Sequence, residues 1–353
     1  MKVISVVGAR PQFIKLAILS KALREERHNE IIIHTGQHYD KNMSKYFFDE
    51  MHIAKPDYHL NIGSGPHGKQ TAEMLIGLED IFVHQKPEMI ITFGDTNTTL
   101  AAALAATKLK IPVAHVEAGL RSHNRQMPEE INRILTDHIS DFLFAPTSNA
   151  LKNLKLENLH RQSFMTGDIM YDSLLYYGKI AEQKSTVLNN LRLKQKDYIL
   201  LTLHRPSNVD NIHKLQNIFS ALKQTKKFIV LPVHPRTRKM IESTNTIIPE
   251  NIFIIKPLGY LDFIVLQKYS EKIITDSGGV QKEAYMNGIP CITVRAETEW
   301  VETVKAGWNV LVGDKMDQLI ENCLHFKPSH NRPRYFGDGD SSKKIISILE
   351  SHL

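Results

Sequence analysis

Asp276-Ser277-Gly278-Gly279-Val280-Gln281-Lys282-Glu283 is the run in this chain best suited to holding a ligand. It follows Lys272-Ile273-Ile274-Thr275, which has the composition of a buried strand, and it opens a segment, Val280 to Asn287, that reads as a helix. A turn of small residues between a strand and a helix presents backbone N–H groups at the positive end of the helix dipole, where anions are stabilised. The glycines allow a phosphate to approach the main chain. Glu283 follows about one helical turn later, placed to accept two ribose hydroxyls. The chemistry this predicts is nucleotide or nucleotide-sugar binding. An ordinary glycine-rich turn has the same composition, so the motif needs company.

Company is found at other strand ends. The first apolar run stops at Gly8-Ala9-Arg10-Pro11-Gln12-Phe13-Ile14-Lys15, where Arg10 and Lys15 bracket a helix start suited to a diphosphate. No GxGxxG turn is present there, which argues against a dinucleotide cofactor. Asp95, in Gly94-Asp95-Thr96, is either a helix cap or a carboxylate at the mouth of a cleft, and the two roles are compatible. Glu117 stands at the tip of the apolar run Val113–Val116, a costly position unless the charge is paired or used. Glu129 and Glu130 follow Pro128 in a helix start twelve residues later. Carboxylates converging beside basic residues make an acid/base arrangement. His204 and His234 also follow apolar runs, where an imidazole is exposed and titrates near neutrality. No HxH, HExxH or Cys/His spacing supports a metal site.

The elements that must position these residues alternate. Strands are predicted at Val3–Val7, Glu30–His34, Met89–Phe93, Val113–Val116 and Phe142–Ala145, then at Tyr198–Leu203, Phe228–Val233, Ile252–Ile255, Lys272–Thr275, Pro290–Val294 and Val310–Val312. Helical periodicity lies between them at Gln12–Leu23, Thr71–Phe82, Thr96–Thr107, Pro128–Ile139, Ile212–Lys223 and Tyr260–Tyr269. Strands apolar on both faces and separated by helices predict parallel sheets covered on both sides. The pattern runs twice in 353 residues, so two doubly wound α/β domains are expected, with a seam near Gly167 to Lys196. In such sheets ligands bind outside the carboxyl ends of the strands, which is where the residues above fall. The net charge of +6 comes from scattered Lys and Arg, a pattern that fits an anionic small substrate better than nucleic acid. The two cysteines, Cys291 and Cys323, form no pair motif, and Cys291 lies in an apolar run as a core residue. No run of about 18 apolar residues predicts a membrane span. With no signal-like start and sparse cysteines, a cytoplasmic location is expected.

Taken together, Gly8–Lys15, Gly36-Gln37-His38, Gly94-Asp95-Thr96, His115-Val116-Glu117-Ala118-Gly119-Leu120-Arg121, Pro128-Glu129-Glu130 and Asp276-Ser277-Gly278-Gly279 resemble the non-hydrolysing UDP-N-acetylglucosamine 2-epimerases. The likeness runs in order from Val3 to Gly339. It implies two Rossmann-like domains of the glycosyltransferase-B type facing a cleft: residues 1–170 with a returning helix at 338–353, and residues 171–337 for UDP. The implied chemistry inverts C2 of a UDP-linked 2-acetamido sugar through elimination of UDP and its re-addition, with no redox cofactor or metal. The implied catalytic set is Lys15, Asp95, Glu117, Glu129 and His204. Arg10, Arg133, His234, Phe263, Ser277, Gly278, Gly279, Glu283 and Arg295 match UDP- or substrate-binding positions, with Phe263 near the uracil and Glu283 at the ribose. Arg10 and the Ser277–Gly279 backbone donors are suited to the departing diphosphate. The resemblance further implies a homodimer, a supply of precursor for a surface polysaccharide, and a second UDP-sugar acting as activator at Gln37, His38, Gln70 and Arg205.

Departures from the family pattern are His204-Arg205-Pro206-Ser207-Asn208, Glu297-Thr298-Glu299-Trp300-Val301-Glu302 and Asp168-Ile169-Met170-Tyr171-Asp172. They resemble a sister branch acting on UDP-2,3-diacetamido-2,3-dideoxyglucuronate. A hydrolysing epimerase, a glycosyltransferase of the same fold and a non-catalytic nucleotide-sugar binder are the other readings. The last would be expected to lack one of the carboxylates or His204, and none is missing.

Overall fold

The computed structural model describes residues 1–37 and 47–352. The chain divides into two compact units, Met1–Tyr176 with Arg334–Leu353, and Tyr177–Pro333. The first division falls inside one helix, Ile169–Lys184.

The amino-terminal unit is built on seven strands: β1 (Lys2–Val7), β2 (Asn29–His34), β3 (Tyr58–His59), β4 (Met89–Phe93), β5 (Val113–Val116), β6 (Phe142–Ala145) and β7 (Ser163–Met165). Their spatial order is β3-β2-β1-β4-β5-β6-β7, every pair parallel. β1 pairs with β2 from Lys2↔Asn29 to Val7↔His34 and with β4 from Val3↔Met89 to Val6↔Thr92. The order reverses between β1 and β4, which makes their carboxyl ends a switch point. The central strands are apolar on both faces because helices cover both. The Asn97–Lys108 helix lies close to the sheet through fully buried Ala101, Ala102, Ala103, Ala105 and Ala106. The final helix, Ser341–His352, belongs to this unit. It packs on the Arg10–Glu25 helix, and Asp172 accepts from Ser341 N (3.1 Å), Ser342 N (2.8 Å) and Ser342 Oγ (2.9 Å) at its start.

The carboxy-terminal unit repeats the plan with β8 (Ile199–Thr202), β9 (Ile229–Pro232), β10 (Ile252–Ile255), β11 (Lys272–Thr275), β12 (Cys291–Thr293) and β13 (Asn309–Leu311), in the order β10-β9-β8-β11-β12-β13. Its switch point lies between β8 and β11. Ile199, Leu201, Phe219, Ile229, Leu231, Ile274 and Ile292 form its core. Both cysteines are buried, and burial pushes the Cys291 thiol up to about 12. No helix among the described residues is long and apolar enough to cross a membrane.

The predicted helices Pro128–Ile139 and Tyr260–Tyr269 occur with those bounds. The helix after Asp276 starts at Gly278, two residues earlier than expected, so the glycines form its first turn. β3 and β7 went unpredicted. They are two- and three-residue edge strands without an apolar run.

Candidate active site

At the amino-terminal switch point one side chain ties the strand ends together. Gln12 Oε1 accepts from Gly8 N (2.8 Å) and Ala9 N (3.0 Å), while its Nε2 donates to Phe93 O (2.9 Å), Thr96 Oγ1 and Thr99 Oγ1 (both 3.1 Å). Lys15, further along the same helix, reaches Glu117 at the tip of β5 with Nζ–Oε1 of 2.6 Å, and both side chains are nearly buried. Glu117 has φ +76°, in the left-handed region where a non-glycine residue is strained. Gly94 lies alongside at φ +67°, and a Cβ there would come within 3.1 Å of Lys15 Nζ.

Asp95 is not the cap of the following helix. Thr96 holds that place, its side chain accepting from Thr99 N. Asp95 instead pairs with Arg133, and its main-chain carbonyl accepts from Asn132 Nδ2 (3.0 Å). Arg133 also pairs with Glu130 at 2.6 Å. The two adjacent glutamates therefore differ. Glu130 is buried and accepts from Ser122 N (2.9 Å), Ser122 Oγ (2.8 Å) and His123 N (2.9 Å), so it fixes the loop after β5. Burial alone would raise its carboxyl, but the Ser122 donors and Arg133 outweigh it and hold the group low. Glu129 is partly exposed. Arg10 stacks its guanidinium over the Phe47 ring at 4.7 Å.

Behind these residues runs a largely buried chain of polar side chains that ends at the partly exposed Glu157. His115 Nδ1 is 2.7 Å from Asp137 Oδ1 and its Nε2 is 2.7 Å from Gly94 O. Asp137 Oδ2 accepts from Gly119 N (3.0 Å) and from Arg121 Nη1 (2.7 Å), and Arg121 meets Glu157 through two bonds of 2.7 Å. Burial would raise the Asp137 carboxyl, yet His115 and Arg121 hold it below the usual aspartate range.

At the carboxy-terminal switch point Asp276 organises the turn after β8. It is fully buried and accepts from His204 N (3.1 Å), Arg205 N (3.0 Å) and Asn208 Nδ2 (3.1 Å). His204 Nδ1 lies 3.3 Å from Asp276 Oδ1, and the His204 and His234 rings are 5.5 Å apart. His234 caps the Pro235–Ser243 helix, its Nδ1 accepting from Arg236 N at 3.2 Å. Ser277 is the N-cap residue of the Gly278–Asn287 helix, and its N–H donates to Thr275 Oγ1 (3.0 Å). A Cβ at Gly278 would lie 2.5 Å from Glu299 Oε1, so any side chain there would displace the Glu299 carboxylate. Glu299 in turn pairs with buried Arg295 at 3.1 Å. Glu283 is buried and accepts from Gln267 Nε2 at 2.8 Å. Phe263 is partly exposed one turn before Gln267 on the same helix face.

Both switch points thus carry polar machinery of one pattern, cations and carboxylates at strand ends with helix starts alongside. The family model described as UDP-N-acetylglucosamine 2-epimerase matches residues 21–350. The chain belongs to the UDP-N-acetylglucosamine 2-epimerase family. It is 52% identical to a UDP-N-acetylglucosamine 2-epimerase homolog of Methanococcus maripaludis, over 99% of this chain and 100% of that one. It is 46% identical to the UDP-2,3-diacetamido-2,3-dideoxy-D-glucuronate 2-epimerase of Pseudomonas aeruginosa, over 99% of both chains. The crystal structure of Methanocaldococcus jannaschii UDP-GlcNAc 2-epimerase in complex with UDP-GlcNAc and UDP superposes with a TM-score of 0.93 at 46% identity, covering 99% of this chain and 100% of that one. The architecture is accordingly the glycosyltransferase-B type, two Rossmann-like domains, and the family is one of isomerases acting on nucleotide sugars.

Within the amino-terminal unit of this family member, Lys15–Glu117 and Arg133–Asp95 are ion pairs, and Arg10 and Glu129 stand in the first turns of the Arg10–Glu25 and Pro128–Ile139 helices. Within the carboxy-terminal unit, His204 and His234 adjoin, as do Ser277, Gly278 and Arg295 through Glu299. Glu283 is bonded to Gln267, which lies one turn after Phe263 on the same helix. Sequence reasoning assigned no role to Gln12, His115, Asp137 or Asp276. For His115 and Asp276 the signal was a polar side chain in an apolar strand or directly after one, where burial without partners is costly, whereas Gln12 and Asp137 lie on helices. His38 lies outside the described residues.

Proposed function

We propose that this chain interconverts UDP-N-acetylglucosamine and UDP-N-acetylmannosamine by inversion at C2. The observation that supports it most strongly is the Lys15–Glu117 pair: a carboxylate held at a strand tip, 2.6 Å from a buried ammonium, beside the equally paired Asp95. Inversion needs proton handling on both faces of one carbon, and two positioned carboxylates supply it. A carboxylate takes the C2 proton; the C–H electrons become the C1=C2 bond; the C1–O bond breaks and its electrons leave on UDP. In the second half UDP oxygen re-adds to C1 while a proton reaches C2 from the opposite face. Atoms and charge balance without an oxidant.

Glu117 and Asp95 are the two proton-handling groups, held by Lys15 and Arg133, with Glu129 assisting. Arg10 and the N–H groups of Gly278 and Gly279 stabilise the departing diphosphate, the Ser277 N–H being already given to Thr275 Oγ1. His204, oriented by Asp276, and His234 support that charge. Phe263 takes the uracil, Glu283 the ribose, and Arg295 the remaining anionic edge of the substrate. A homodimer, a cytoplasmic setting and an activating second UDP-sugar belong to the same proposal. Gln37 and Gln70 already serve Thr98 (3.0 Å) and Gly63 O (2.6 Å), so an activator there would replace those bonds.

The test is incubation with UDP-N-acetylglucosamine in deuterated water, following C2 by proton NMR. Exchange at C2 with formation of UDP-N-acetylmannosamine is expected. Free UDP with N-acetylmannosamine would mean a hydrolysing outcome. A second reading, the same inversion on UDP-2,3-diacetamido-2,3-dideoxyglucuronate, is favoured by the 46% identity to the Pseudomonas enzyme. Exchange on that sugar and none on UDP-N-acetylglucosamine would replace the first reading.

A further inference from the structure

The chain His115–Asp137–Arg121–Glu157 runs from the buried sheet to the partly exposed Glu157, and two of its hydrogen bonds fall on specific backbone groups. Gly94, whose carbonyl accepts from His115 Nε2, immediately precedes Asp95. Gly119, whose N–H donates to Asp137 Oδ2, lies two residues after Glu117. Both glycines are left-handed, at φ +67° and +82°, as is Glu117 itself at +76°. The glycines take that conformation freely, but for Glu117 it persists only where surrounding structure over-determines it. His115 spans a carboxylate and a backbone carbonyl at 2.7 Å each. One imidazole and one carboxylate thereby grip the two loops that carry Asp95 and Glu117. Arg121, bonded to Glu157, balances the charge of Asp137.

We propose that His115 and Asp137 are positioning residues for C2 inversion: they set the separation of the Asp95 and Glu117 carboxylates and never touch the sugar. The inference rests on the reading of the site as a C2 epimerase. A reactive group displaced by about 1 Å loses on the order of 100-fold in rate, so the cost should fall on kcat and leave binding alone.

The experiment compares His115→Gln and Asp137→Asn with the unaltered enzyme. Gln keeps a donor but cannot span both acceptors. Asn puts an amide where two donors converge. Turnover is measured with UDP-N-acetylglucosamine and with its C2-deuterated form, alongside thermal unfolding and UDP binding. The expected result is a fall in kcat of about 10- to 100-fold, KM and UDP affinity within about threefold, and a C2 isotope effect larger than that of the unaltered enzyme. The isotope effect separates this from a structural role, because a smaller folded fraction lowers the apparent kcat without changing it. Loss of turnover that tracks loss of folded protein with an unaltered isotope effect would overturn the proposal, as would near-normal turnover in His115→Gln. If Asp137→Asn fails to fold, His115→Gln decides alone, since it leaves the Asp137–Arg121–Glu157 bonds in place. An unaltered enzyme that exchanges C2 on neither UDP-N-acetylglucosamine nor the diacetamido-uronate defeats the epimerase reading and this inference with it. An active enzyme with insensitive variants defeats the inference only.

Discussion

Lys15→Met isolates the energetics of the central ion pair. Methionine has nearly the helix propensity and bulk of lysine, so the Arg10–Glu25 helix is left intact and the lost charge dominates. The side chains of Lys15 and Glu117 are 5% and 10% exposed, so water screens the pair little. Removing one partner of such a pair leaves a buried charge uncompensated and costs about 3–5 kcal/mol. Neutralising both, in Lys15→Met with Glu117→Gln, leaves only hydrogen-bond deficits of about 1–2 kcal/mol. The double variant should therefore be more stable than Lys15→Met alone, a non-additivity that a double-mutant cycle measures directly. The assay is equilibrium urea unfolding at neutral pH followed by far-UV circular dichroism. Fluorescence is the wrong probe, since Trp300 and Trp308 are both in the other unit. If Lys15→Met loses less than about 1 kcal/mol, or if the double variant is no better than the single one, the pair is not the buried interaction described here.

Glu117→Gln is expected to abolish C2 deuterium exchange while isothermal titration finds UDP affinity within a few fold; retained turnover would remove Glu117 from the proton-handling set. Gly119→Ala forces a Cβ to 2.5 Å from Ala150 O at φ +82°, and a loss of about 2 kcal/mol or more, read from the urea midpoint, is expected. Asp137 and Glu130 both have folded-state carboxyls lowered below their unfolded values. Their stabilisation is present above the unfolded range near pH 4 and is lost as pH falls through the folded values, so an acid titration of stability should drop below about pH 4. In Asp137→Asn that drop should shrink. Asp276→Asn removes the anion that accepts from His204 N, Arg205 N and Asn208 Nδ2, and a 10-fold or larger loss of kcat, on the order seen when supporting hydrogen bonds are cut, is expected in the C2 exchange assay.

Much of this was legible beforehand because parallel sheets write their strands as unbroken apolar runs. Val3–Val7, Met89–Phe93 and Lys272–Thr275 fall in the centres of their sheets, buried from both sides. Strand carboxyl ends then name the loops to read, and Arg10, Asp95, Glu117, His204 and Ser277 stand just after strands as expected. What stayed hidden was set by pairing across distance. Glu129 and Glu130 are adjacent and chemically alike, and only the fold gives Glu130 three donors from residues 122 and 123. His115 sits inside a strand where composition predicts a core residue, and its partner Asp137 is 22 positions away on a helix. Edge strands such as Tyr58–His59 owe their conformation to a neighbour and leave no pattern of their own.

The last helix has a consequence for how the molecule is made. Ser341–His352 completes the body begun at Met1: Asp172 holds its start, His28 Nε2 lies 3.0 Å from Glu350, and His352 lies against Phe142 and Phe164 at 5.6 and 5.5 Å. On the ribosome, domains ordinarily finish in the order they emerge. Here the body whose strands emerge first stays open along one flank until residues 341–352 have been added, and residues 177–333 all precede that closure.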